Sequence, residues 1–153
     1  MTKRRPTIDI SDETDLNAFF GIRGEALRLV CGMVAAAINH CTPERVNLRP
    51  DGAGWKWDVW QSFEADRNHM MLAFMAGRIA ATSLFLFGFG MGGFVEEARA
   101  FTSATERSLQ RYSAGISRLA QKLVATGELG AADVEKMMLE DEDRAVAKQA
   151  AKR

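Results

Sequence analysis

Residues Met70–Val95 read MMLAFMAGRIAATSLFLFGFGMGGFV, and Arg78 is the one charged residue in the run. What surrounds this stretch decides the fold. A bilayer crossing takes ~20 apolar residues in a helix, so the run is long enough to span lipid, and it can equally fill a core or a subunit interface. Arg78 weighs against a simple crossing, because an arginine at mid-membrane costs about 2.5–3.5 kcal/mol on insertion scales. Starting at Ile79 avoids that cost but leaves a short span ending in Gly88, Gly90, Gly92 and Gly93. The run therefore divides into a helical arm, residues 70–87, and a glycine-rich helix break. Phe74, Arg78, Leu84, Phe85, Phe87 and Phe89 are the candidate membrane or partner contacts in this run. The glycines do not read as a phosphate loop, since bulky apolar side chains flank them.

Immediately upstream lies the only stretch with β character. Val46 and Leu48 alternate with polar residues, Pro50-Asp51-Gly52 signals a turn, and Trp55-Lys56-Trp57-Asp58-Val59 alternates again. One hairpin is expected within residues 45–63, with Trp55, Trp57 and Val59 on one face and Trp60 on the other. A lone hairpin is marginal in water and needs helices to pack on. The three tryptophans have three readings: core filler, a membrane-interface belt, or a contact surface for a partner.

Before the hairpin, apolar residues spaced by three and four (Phe19, Ile22, Leu27, Val30, Val34, Ile38) predict a helix from Ala18 to about His40. Asp15 or Asn17 can cap it, Gly21, Gly24 and Gly32 weaken it and point to close helix packing or a kink near Gly21, and Thr42-Pro43-Glu44 stops it. Beyond the glycine break, a long amphipathic helix is expected over residues 94–125. Phe101, Leu109, Tyr112, Ile116, Leu119 and Leu123 share one face, while Arg107, Arg111, Arg118 and Lys122 cluster on another. Those four cations suit phosphate groups, anionic lipid or the acidic stretch Glu128–Asp143 of this or another chain. No aromatic residue is interleaved with them, so base stacking is not supported. Gly127 is a natural helix C-cap, and a short charged helix or tail follows from Gly130.

Composition bounds the function classes. A hydrophobic content of 47% with 26% charged residues describes a globular chain. A formal net charge of zero removes any global attraction to nucleic acid. Lys3-Arg4-Arg5 leads into an acidic segment rather than an apolar signal core, so a cytoplasmic or inner-membrane location is expected, not secretion. Cys31 and Cys41, ten residues apart, would stand ~15 Å apart on one helix and are expected as buried free thiols. Only His40 and His69 are present, no set of four ligands assembles around them, and no cofactor or metal is expected.

The expected architecture is mainly α, about four helices with a Trp-rich hairpin between the first and second. A terminal arm over residues 1–16 precedes a helical core over 17–126, and residues 127–153 are appended to it. The expected protein is a non-enzymatic, membrane-associated helical one that acts through assembly or partner recruitment, with 70–95 as a membrane or interface element. The alternative is a soluble oligomeric helical scaffold whose basic face, 107–122, meets nucleic acid or an acidic partner. An enzyme with an apolar ligand pocket is the third reading.

Overall fold

The computed structural model describes residues 21–62, 64–86, 105 and 107–152. Among them are four α-helices with defined bounds, a further helical segment over residues 107–111, and a three-stranded antiparallel sheet. Their chain order is α1 (Ile22–Ile38), β1 (Arg45–Asp51), β2 (Gly54–Trp60), α2 (Glu64–Leu86), α3 (Ser113–Thr126), β3 (Glu128–Gly130) and α4 (Ala131–Ala151). The mainly helical fold with a hairpin between the first two long helices is the expected one. Residues 1–20, with Asp15, Asn17 and Phe19, and residues 87–104, with Phe101, lie outside the described set.

The helix α1 is the centre of the molecule. Leu29, Val30, Cys31, Met33 and Val34 point in different directions around its axis, yet all are fully buried. A helix that is apolar on every side belongs inside. Both cysteines are free and buried, and burial pushes the Cys31 thiol up to about 12. The helix ends ahead of Pro43, through its own turn. The N–H groups of His40 and Cys41 donate to Ala37 and Ala36 carbonyls at 3.0 and 2.9 Å. Asn39 Nδ2 donates to the Ala35 carbonyl at 2.8 Å. His40 takes the left-handed conformation, φ 59°, that this closure requires.

The strands β1 and β2 form the expected hairpin around the two-residue turn Gly52-Ala53, with Asp51 opposite Gly54 and Arg45 opposite Trp60. Pro50 and Asp51, read from the sequence as turn residues, are the last residues of β1. Val46 and Leu48 are buried, while Trp55, Trp57 and Val59 line the inner face of β2 and Trp60 points outward. The strand β3 pairs with β1 on its other side, Val46 opposite Leu129, so the sheet order is β2-β1-β3. Gly127 caps α3 as expected, φ 79°, and its carbonyl accepts from the Leu48 N–H at 2.9 Å.

Two helical expectations change. The single helix over 94–125 is interrupted at Tyr112, where the N–H bonds back to Leu109 at 3.0 Å. This turn buries the Tyr112 ring and brings its hydroxyl to Glu142 Oε1 at 2.7 Å. The inward face is nonetheless the anticipated one: Leu109, Tyr112, Ile116, Leu119 and Leu123 are all buried. The final helix is 21 residues long rather than short. Its first half buries Val134 and Met137 in the common core, and residues 142–151 are exposed throughout.

The tightest contact in the fold is the crossing of α1 and α2. A Cβ added at Gly77 would lie 2.4 Å from the Cys31 carbonyl oxygen and 2.7 Å from Gly32 Cα, and one at Gly32 would lie 2.8 Å from the Phe74 ring. The Gly77 obstacles are backbone atoms, which no rotamer change can move. In an open helix, Gly→Ala stabilises by about 0.5–1 kcal/mol. Here Gly77→Ala is expected to cost about 3 kcal/mol by forcing the helices apart. Thermal unfolding should show a Tm lower by roughly 6–12 °C, and an unchanged or raised Tm would refute the close crossing.

Candidate functional site

The apolar helix α2 has two faces of unequal fate. Met70, Phe74, Gly77, Ala80 and Ala81 are buried against the rest of the fold. Phe74, expected at an interface, is fully enclosed between α1 and the hairpin, its ring 6.1 Å from that of Trp57. This places it in the core and removes it from the candidate surface. On the opposite side Leu72, Met75 and Ile79 are exposed by 74, 41 and 40%. Advancing ~100° per residue, these three form one stripe about half a turn away from Gly77 and Ala81.

Arg78 sits at the boundary between the faces and turns inward. Its Nη1 lies 2.9 Å from Glu25 Oε2 on α1, both side chains being largely buried. Glu25 also takes Arg28 Nε at 3.2 Å and the Trp55 indole N–H at 3.4 Å. The Arg78 guanidinium lies over the Trp57 ring, 4.6 Å from its centroid, a cation–π contact. One buried carboxylate thus ties α1, α2 and the hairpin together. Trp60, on the other face, is 45% exposed and carries the Arg45 guanidinium 5.3 Å from its ring centroid.

The four basic residues of the second amphipathic segment do not act as a set. Arg118 Nη2 lies 3.5 Å from Asp141 Oδ1, and Lys122 donates to Asp133 Oδ1 at 2.8 Å. Both acids belong to α4, so half of the anticipated anion-binding face is spent inside the chain. Arg107 and Arg111 are exposed. Lys122 and the Gly130 N–H hold the Asp133 carboxyl below its ordinary range. Leu84 and Phe85 fall within α2, with side chains outside the described set. Phe87, Phe89, Gly88, Gly90, Gly92 and Gly93 also lie outside it.

An open cleft of about 560 Å³ runs between the C-terminal turn of α1 and α4, lined by His40, Cys41, Gln61, Glu135, Met138 and Glu142. The Cys41 thiol is buried and donates to the Ala36 carbonyl at 3.3 Å, so it serves the turn. Among the described residues no group of three or more His, Cys, Asp or Glu side chains could hold a metal ion. Nor is any described helix long and apolar enough to cross a membrane.

Sequence reasoning missed Leu72, Met75 and Ile79 as the outward set, and Glu25 as the partner of Arg78. The first signal was present as a three-and-four spacing, masked by apolar neighbours on every side. The second was a lone acid within the apolar part of α1 facing a lone base in an apolar run.

Burial alone pushes the Glu25 carboxyl up, but hydrogen bonding and charge from Arg78, the charge of Arg28 and the Trp55 N–H outweigh it and hold the group below its ordinary range. Such a depressed carboxylate stabilises the fold fully above its unfolded pKa, about 4.3. That contribution is lost as pH falls through the lower folded value. Glu25→Gln is expected to cost about 3 kcal/mol at neutral pH, because it removes the buried carboxylate that pairs with Arg78 and Arg28. It should also flatten the decline in urea-unfolding stability between about pH 5 and about pH 3. An equal decline in variant and wild type would remove Glu25 from this role. No protein-family model, curated protein or solved structure matches the chain.

Proposed function

We propose that this protein acts by assembly, presenting the outer flank of α2 to another protein surface, either a second copy of itself or a recruited partner. The observation that carries the reading is the stripe of Leu72, Met75 and Ile79, exposed on a helix whose inner face is already committed to the core. Large apolar side chains aligned on one face mark a contact surface more than scattered ones do. Because Arg78 is held by Glu25 on the inner side, the stripe is uninterrupted by charge. The same inner anchoring favours a protein surface over insertion in lipid, since insertion would pull Arg78 from its carboxylate. A lipid surface touching only the outer stripe is the competing use of this flank.

The test is the hydrodynamic state of the full chain, with Leu72→Glu and Met75→Glu as surface variants. Wild type is expected to sediment as a defined oligomer, and each variant to shift strongly toward monomer with unchanged helicity by circular dichroism. A wild-type monomer that floats with phosphatidylglycerol-containing vesicles, and loses this in the same variants, would replace the protein partner by lipid. A monomer that does neither, and whose Leu72→Glu and Met75→Glu variants cross-link to other proteins just as wild type does, would overturn the reading.

A further inference from the structure

We infer that the occupant of this flank is a second copy of the chain, joined through the edge of β2 that carries no strand among the described residues, so that two three-stranded sheets become one six-stranded sheet. The inference rests on the proposed assembly role of the α2 flank and assigns its partner and geometry.

The hydrogen-bonding phase of the hairpin shows which backbone groups are free. Leu48 sends its N–H to Gly127, on the β3 side of β1. Alternation along an antiparallel strand then turns Asn47 and Arg49 toward β2, where they face Asp58 and Lys56. Within β2, Asp58 and Lys56 therefore pair inward, and Trp55, Trp57 and Val59 turn their N–H and C=O groups to the open edge. Pro50 stands opposite Trp55, so its missing N–H falls on the side of β1 away from β2 and breaks no bond of the hairpin. Among the described residues β2 has a strand on one side only.

The sequence of that edge, Trp55-Lys56-Trp57-Asp58-Val59, is self-complementary about Trp57. Antiparallel pairing of two copies with Trp57 opposite Trp57 sets Trp55 against Val59 and Lys56 against Asp58, each twice by symmetry. Trp57 lies in the bonded phase of the open edge, so Lys56 and Asp58 of opposite copies fall in the non-bonded pairs, where side chains approach most closely. Within a single copy, Lys56 faces Arg49, a like-charge pair that disfavours the hairpin. Asp58 of a second copy brings an acid against that excess of positive charge.

The layers agree with this placement. The helix α3 contacts β1 and β3, α1 lies between α3 and α2, and α2 lies beneath β2 through the Phe74–Trp57 contact. The outer flank of α2 and the open edge of β2 therefore lie on one side of the molecule. A two-fold axis through paired Trp57 residues sets Leu72, Met75 and Ile79 toward the same stripe of the second copy.

Charge reversal tests the pairing on the full chain. Lys56→Asp and Asp58→Lys each place like charges opposite one another twice in a homodimer, and each should weaken self-association by roughly tenfold or more. Mixing the two variants should restore a 1:1 heterodimer of near wild-type affinity, because every facing pair is again of opposite sign. This rescue excludes misfolding as the cause, including loss of the 2.8 Å bond from Asn47 to Asp58. If both variants self-associate like wild type while Leu72→Glu still dissociates them, the edge pairing is overturned and the α2 reading stands. If wild type is monomeric, the second-copy assignment falls outright, and vesicle flotation then decides whether the α2 reading survives in its lipid form.

Discussion

Arg78 reaches Glu25 only because nothing larger than a hydrogen atom separates α1 from α2 at Gly32 and Gly77. The crossing brings two opposite charges together where little water enters, and their attraction grows as the effective dielectric falls. Once placed, the pair organises what lies above it. Trp57 rests on the guanidinium, Trp55 donates to the carboxylate, and the hairpin is held onto the helices by polar contacts as well as by apolar burial. A buried ion pair contributes little net stability when compared with a well-packed apolar substitute. Its larger effect here is rotational. With Arg78 pointing inward, α2 can show only one flank to the outside.

That rotation is the part of the structure least legible in the sequence. Periodicity identifies a buried face by contrast with a polar one, and Met70–Ala81 offers almost no contrast. Phe74 and Met75 are equally plausible as core from the sequence, and only the position of Gly77 against Cys31 separates them. Where contrast exists, the reading succeeds. Leu109, Ile116, Leu119 and Leu123 stand among arginine, lysine and glutamine, and all four are buried. The alternation through Trp55–Trp60 likewise foretold which indoles share a face, though not which face points inward. The strand β3 escaped because three residues have no period of their own, and Glu128–Gly130 becomes a strand only through pairing with β1.

The candidate site follows the same division. The tryptophans, Arg78 and the apolar run drew attention from composition, whereas their roles depended on neighbours distant in the chain. Trp55 and Trp57 bind the buried ion pair, and Trp60 is left outside with Arg45 over its ring. The basic residues at 118 and 122 carry a pattern shared by anion-binding faces and by helix pairs cross-linked to an acidic neighbour. Asp141 and Asp133 on α4 show the second arrangement within this chain.

The pairing of β1 with β3 has a consequence for how the chain is made. The central strand of the sheet has one neighbour, β2, supplied at once by a tight turn, and another, β3, separated from it in the chain by α2 and α3. Until Glu128–Gly130 leaves the ribosome, one side of β1 lies open and Val46 lacks Leu129 as a neighbour. Closing that distance costs chain entropy, which grows slowly with loop length but must be met before the contact forms. The sheet is therefore completed by a long-range contact, and β1 gains its second neighbour only after α2 and α3 have been made. The segment appended to the core in the sequence is, in the order of events, the piece that closes it.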